Sequence, residues 1–422
     1  MPFDKRDDHL GSIFSRYMRN NMRKAHLFIG LAILLWGTST AIGQGIFGVA
    51  PCKPLCDPCE SVACDPCEPI CDPCGNGNSN GGLFSAFTFG GWIEAGVYTN
   101  SRNSRDNGLV HLAGNRRNDF QMNQLYLFGE REMNTSRGFD WGGRIDLAYG
   151  SDYELMQTAD GTFDANWGTN KHGYGMAAYQ LYGTLGYRDL SVKIGKFATP
   201  LGWEAVASKD NFFYSHSLCF LTEPTSHTGV LATYDVSDRL SLNAGWTTGM
   251  DSSFNNPNGN SALLSGFTFA LMRNANVYYW INAGKQYDGV AEPRNDFFVQ
   301  SLCLEWEMTK RFTNIIQYNL RNDNYRGAGG AKDRYSAYGI NNHFLYKLTD
   351  KLSAGTRLGW LRNNGANERN DNWEVTWGLR WDPTNFLSIR PEVRYDWCQG
   401  DTPFGNGKKD QVSGGFGMVV SF

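Results

Sequence analysis

From residue 87 onward, apolar and polar residues alternate with a period of two, the spacing of an extended chain with two unlike faces. Trp373, Val375, Trp377, Leu379 and Trp381 fall on one face; Glu374, Thr376, Gly378, Arg380 and Asp382 fall on the other. Leu387, Ile389, Val393 and Tyr395 likewise oppose Ser388, Arg390, Glu392, Arg394 and Asp396. Trp141, Ile145, Leu147 and Tyr149 oppose Asp140, Arg144 and Asp146. The pattern predicts sixteen strands, at 87–98, 120–133, 138–149, 174–187, 190–197, 229–235, 240–249, 263–272, 276–286, 297–308, 312–321, 335–348, 352–362, 372–382, 387–396 and 411–422. Segments 120–133 and 263–272 carry it least clearly, and in 120–133 polar residues fall on both faces.

A soluble sandwich also alternates, so the connections have to decide. They run long, short, long, short along the chain: turns such as Arg188-Asp189 and Thr309-Lys310-Arg311 alternate with loops such as 99–119, 150–173, 198–228, 322–334 and 397–410. That is the rhythm of an outer-membrane barrel with short periplasmic turns and long extracellular loops. Charged faces also recur over the whole chain, and a closed sheet of this size has a lumen that must be polar while the Trp/Leu/Val face meets lipid. The expected fold is all-β: a closed antiparallel transmembrane β-barrel of about 16 strands over residues 83–422. An even count puts both termini on the periplasmic side.

Composition agrees. Aromatic residues at 14 % and 49 glycines suit many turns and interfacial aromatic girdles. A net charge of −3 gives no reason to expect nucleic acid. No apolar run past the N-terminus approaches the ~20 residues of a membrane helix. No Walker A, H-E-x-x-H or EF-hand pattern occurs, so no cofactor is expected.

Residues 1–43 read as a Sec signal peptide, with Met22 as an alternative start. Arg23 and Lys24 precede the apolar run Leu27 to Trp36, and Ala41-Ile42-Gly43 forms a small-x-small cleavage site. Residues 44–82 then form a Cys/Pro-rich periplasmic segment and a Gly/Asn linker. It carries Cys52, Cys56, Cys59, Cys64, Cys67, Cys71 and Cys74, with C-D-P-C three times. Two readings stand: a disulfide-stapled segment whose odd thiol cross-links an envelope partner, or a thiolate metal site. At the other end Phe416, Met418, Val420 and Phe422 share a face, resembling the terminal signal read by the barrel-assembly machinery.

Residues 83–422 resemble the OmpL-like family of β-barrel porins. The resemblance lies in N-Q-L-Y-L at Asn123–Leu127, F-D-W-G-G-R-I-D-L-A-Y-G at Phe139–Gly150, I-G-K-F-A-T-P-L-G-W-E at Ile194–Glu204 and E-P-T-S-H-T-G-V at Glu223–Val230. It implies an outer-membrane channel for small polar solutes and ions, with lipid as its surroundings, and no specific solute. A homotrimer is expected only by analogy with other sixteen-stranded porins.

The longest loop is the third, 198–228, and it resembles the inward-folded constriction loop of general porins. It carries Glu204, Lys209, Asp210, His216, Cys219, Glu223 and His227. Opposed charges across a narrow passage orient water and favour polar solutes. The loop can supply Glu204, Asp210 and Glu223; the wall can supply Arg144, Lys193, Arg380, Arg390 and Arg394, with Asp146, Glu374 and Glu392 on the same faces. The bland alternative is that these charges sit in solvated regions and filter nothing. A hydrolase would draw on Ser215-His216-Ser217 or Ser226-His227, but sequence adjacency is not hydrogen-bond geometry, and no enzyme is expected. Cys219, Cys303 and Cys398 are free, or Cys219 and Cys398 join two outer loops. A third reading is an envelope anchor whose cysteine tract does the work.

Overall fold

The computed structural model describes residues 86–422 apart from 103–116, 160–161, 166, 171, 257–258, 287–294, 327–331, 366–368, 401 and 406. The signal and cysteine-tract expectations lie outside the described residues. Sixteen strands follow: β1 Thr88–Asn100, β2 Gln121–Arg131, β3 Phe139–Gly150, β4 Gly175–Tyr187, β5 Leu190–Ala198, β6 Ser226–Ser237, β7 Leu240–Thr247, β8 Ser261–Met272, β9 Ala275–Gln286, β10 Asn295–Thr309, β11 Phe312–Arg326, β12 Lys332–Lys347, β13 Leu352–Asn364, β14 Arg369–Thr384, β15 Leu387–Gln399 and β16 Asp410–Ser421. Each strand pairs with its sequence neighbours, and β1 closes on β16. At the seam, Gly91 and Phe422 exchange both main-chain hydrogen bonds at 2.9 Å. Closure leaves no unpaired edge, which is what a bilayer requires of a sheet.

The wall is inverted relative to a soluble protein. Trp377 is 53 % exposed and Val393 51 %, while their strand neighbours Thr376 and Arg394 are at 0 %. Apolar residues cover the outside and polar residues fill the inside, which separates a membrane barrel from a sandwich.

The mixed faces of β2 have a local cause. Glu94 opposes Gln124 while Ala95 opposes Met122, so Asn123 is one residue too many. This bulge turns Asn123 and Gln124 both into the interior, where both are buried. A second bulge leaves Tyr179 of β4 unpaired with β3. β6 begins at Ser226 rather than 229, because the β5 register continues through Ala198↔Ser226. Ser226, His227 and Thr228 look like loop residues in sequence, but a polar lumen accommodates polar strand residues. Thr228 Oγ1 donates to Ser252 O at 2.6 Å, and His227 Nε2 lies 3.1 Å from Thr199 Oγ1. The third loop is therefore 199–225. Short turns gather at one end of the barrel and long loops at the other.

Candidate functional site: the lumen and its third loop

Loop 199–225 folds into the barrel. Thr199 Oγ1 accepts from Leu201 N at 3.2 Å and starts the turn. Gly202 has φ +87°, and a Cβ there would collide with the Glu223 carboxylate, so the first and last limbs of the loop meet only over a glycine. Asn211 closes the middle: its Nδ2 donates to Ala205 O at 2.6 Å and its Oδ1 accepts from Ala205 N at 2.9 Å. Apolar side chains then anchor the loop on three sides. Val206 and Phe220 pack with Trp92 and Tyr126, Leu201 packs with Phe197 and Leu264, and Leu218 packs with Leu361.

The wall grips the loop mainly through its backbone. Arg357 Nη1 donates to Ser215 O at 2.7 Å and Glu204 Oε1 at 2.8 Å; its Nη2 donates to His216 O at 3.0 Å. Its Nε donates to Glu374 Oε1 at 2.8 Å. Arg390 Nη1 donates to Ser208 O at 2.6 Å and Asn211 O at 3.1 Å, while Nη2 pairs with Glu94. Arg394 Nη1 donates to His216 O at 2.6 Å, and its Nη2 is shared between Glu374 at 2.7 Å and Asp396 at 2.8 Å. Glu392 accepts from the other side, from Tyr214 N at 2.8 Å, Ser215 N at 3.2 Å and Tyr98 Oη at 2.9 Å. A guanidinium offers a fork of donors, which suits it to holding several carbonyl oxygens at once.

Two loop glutamates titrate in opposite directions. Burial alone would raise Glu204, but the Arg357 guanidinium and then His216 outweigh it and hold the carboxyl far below the usual range. Glu204 Oε2 also accepts from Ser217 N at 2.7 Å. Glu223 is pushed well up by burial. Its side-chain partners are the neutral amides of Asn319, at 2.5 Å, and Gln317, and these only partly oppose the shift.

The candidates from sequence thus separate into two groups. Glu204, Glu374, Arg390, Glu392 and Arg394 come together as one buried cluster, and Glu223 is buried against β11. Arg390 and Arg394 do not face loop acids across a gap; they hold loop carbonyls and wall acids. Arg144 lies on β3, paired with Glu130 at 2.7 Å and Asp146 at 2.7 Å. Lys193 Nζ sits 4.5 Å over the Tyr182 ring. Arg380 pairs with Asp382 at 3.2 Å and reaches Asn211 O at 3.1 Å, and Asp210 pairs with Lys209 at 2.7 Å. Arg357, Glu94 and Asp396 complete the cluster and were not among the sequence candidates. Strand parity could have found Arg357, which alternates with outward Leu358 and Trp360; Glu94 is masked by the aromatic residues on its own face, Trp92 and Tyr98, which point inward here.

The hydrolase geometry does not form at Ser215: its Oγ accepts from Arg357 Nη2 at 3.0 Å, and the His216 ring stacks on Phe220 at 3.8 Å. All three cysteines Cys219, Cys303 and Cys398 are buried, and the Cys219 thiol is in no disulfide, which corrects the alternative of a Cys219–Cys398 bridge.

A family model described as "Putative beta-barrel porin-2, OmpL-like" matches residues 86–422. A search of curated protein sequences finds no match. Among solved structures the barrel is similar to the outer membrane channel DcaP of Acinetobacter baumannii, at TM-score 0.54 and 12 % identity over 80 % of this chain and 97 % of that one. It is similar to the trimer form of OmpT of Vibrio cholerae, at TM-score 0.53 and 13 % identity over 80 % and 99 %. An anion-selective porin from Comamonas acidovorans follows at TM-score 0.50 and 9 % identity over 80 % and 99 %. At such identities the likeness is one of fold.

Proposed function

Because the chain belongs to the OmpL-like beta-barrel porin-2 family, whose model spans residues 86–422, we propose that it is an outer-membrane porin passing small polar solutes and ions passively, with loop 199–225 setting the width of the passage. The observation that carries this reading is the inverted wall together with a long loop seated in the lumen. No chemistry needs to happen on the solute: the protein supplies a closed sheet, a polar interior and a constriction. Family and interior both favour transport over catalysis.

The finer parts belong to the same proposal. Lys209, Asp210, Arg144, Lys193 and Arg380 are among the partly exposed lumen charges and would meet the solute. Sec export would deliver residues 44–82 to the periplasm, with the short turns on that side. The Phe416–Phe422 face would be read by the assembly machinery, and three barrels would associate as in the Vibrio cholerae trimer form. The cysteine tract would tie the barrel to an envelope partner or hold a metal.

Purified mature protein, refolded in detergent and added to a planar bilayer, should give discrete ohmic current steps that grow with salt concentration. The reading fails if a folded, heat-modifiable barrel stays silent both intact and with the third loop shortened.

A further inference from the structure

We propose that loop 199–225 is a latch and that the conformation described here is the shut one; this rests on the channel reading above. The first observation is how completely the loop and its neighbours cover the wall. Among the described residues, every one of the sixteen strands carries an inward residue with next to no solvent contact, at 0–2 % exposure. The ring can be followed through Glu94 on β1, Lys196 on β5, Leu264 on β8, Asn319 on β11, Arg357 on β13 and Arg394 on β15. A water-filled lumen of this strand number would wet such positions. What space remains is bordered by the loop side chains Trp203, Lys209 and Asp210 and by a few wall side chains, Arg144, Lys193 and Arg380 among them.

The second observation is the chemistry of the contact. Between Ser208 and Ser217, the loop offers carbonyls to Arg357, Arg390 and Arg394 and N–H groups to Glu392, while its own Glu204 docks on Arg357. This is a multipoint, charge-assisted seat of one continuous segment, made largely by its main chain. Such a seat holds firmly when complete and releases as a unit, because each bond lost exposes the next to water.

The third observation locates the point of release. His343 is 98 % buried, and neither ring nitrogen has a hydrogen-bond partner; Nε2 lies 3.8 Å from Glu204 Oε1. Both polar atoms of Asn341 on the same strand also lack partners. Buried polar groups without partners are costly, so the wall behind Glu204 gains when water enters there. The shut state is therefore least satisfied beside the Glu204–Arg357 pair.

The test is single-channel recording on the full barrel, comparing the parent with a variant whose residues 205–217 are replaced by a short Gly/Ser linker. The parent should stay shut most of the time, with an open probability roughly tenfold below that of the shortened barrel, whose lumen is cleared. The double variant Glu204→Gln with Arg357→Gln keeps the loop length and should raise open probability several-fold while remaining heat-modifiable. Parent and shortened open probabilities within about a factor of two, or a double variant gating like the parent, would overturn the latch and leave the channel reading standing. Silence from both parent and shortened barrels, when folded, would overturn the channel reading and the latch with it.

Discussion

Glu392 is the wall acid on which the seating of the loop can be measured most directly. Its two oxygens accept from Tyr214 N at 2.8 Å, Ser215 N at 3.2 Å and Tyr98 Oη at 2.9 Å, all buried. Glutamine has nearly the same shape but turns one acceptor into a donor. If its oxygen keeps Tyr98 and Ser215, its amide nitrogen faces the Tyr214 N–H, donor against donor. The loss is one charge-assisted bond, about 1.5–3 kcal/mol, plus a buried unsatisfied N–H, about 1–3 kcal/mol. Relaxation of a loop recovers part of this, so about 3 kcal/mol is expected for Glu392→Gln. At about 1.4 kcal/mol per decade, the unseated loop becomes roughly a hundredfold more populated. Tyr98→Phe removes a single bond to the same carboxylate and should cost about 1 kcal/mol. The assay is limited proteolysis of the folded barrel, scored by cleavage within 204–217. The barrel itself should survive, since its ladder is untouched. Cleavage no faster in Glu392→Gln than in Tyr98→Phe would refute the claim that this carboxylate seats the loop.

Other outcomes follow from the same geometry. Gly202→Ala meets both a positive φ of +87° and the Glu223 carboxylate, so it should loosen the loop by about 1–3 kcal/mol, read by the same proteolysis; unchanged cleavage would refute it. Glu223 has a folded-state pKa raised above its ordinary value, so its contribution is complete below about 4.5 and is lost as pH rises toward the elevated value. Glu204 has the opposite sign: its contribution is present above the ordinary carboxylate range and fades only in strong acid. Loop protection should therefore fall on the alkaline side, and Glu223→Gln should remove that fall; a parent whose protection is flat with pH would refute it. Trp377→Lys on the lipid face should cost about 2–4 kcal/mol in refolding from urea into vesicles, and a cost below about 0.5 kcal/mol would refute the outward assignment. Asp210→Lys should shift the reversal potential toward anions while leaving unfolding within about 0.5 kcal/mol, and an unmoved potential would place Asp210 away from the solute path.

Nearly all of the barrel was legible in the sequence, because strand alternation and loop rhythm are local signals. Where the reading strayed, one physical rule was applied too simply. The rule that sends a Trp/Leu/Val face to lipid does not extend to every aromatic residue: Trp92, Tyr98 and Tyr126 point inward, since a lumen filled by a loop needs apolar packing like any core. The polar faces of β2 could not be sorted without knowing that Asn123 is a bulge, a register fact invisible to periodicity. The third loop was identified by length alone. Arg390 was among the wall candidates, but which loop groups the wall holds could not be read, because Arg357 and Arg390 recognise carbonyl oxygens, which every residue carries and no sequence pattern marks.

That last point bears on how the passage can vary. The wall meets the loop through carbonyl and N–H groups from Ser208 to His216, so the polar seat constrains loop length and path more than loop side chains. The side chains that border the remaining space, Lys209 and Asp210 among them, contribute little to the seat; their charges pair with each other at 2.7 Å. Selectivity can then change at those positions without releasing the loop, while changes at Arg357, Glu392 or Arg394 release it whatever charge it displays. The same separation explains why charge was a poor guide to function along this chain. The buried charges of the lumen hold structure, and on the channel proposal the half-exposed ones are those left to meet a solute.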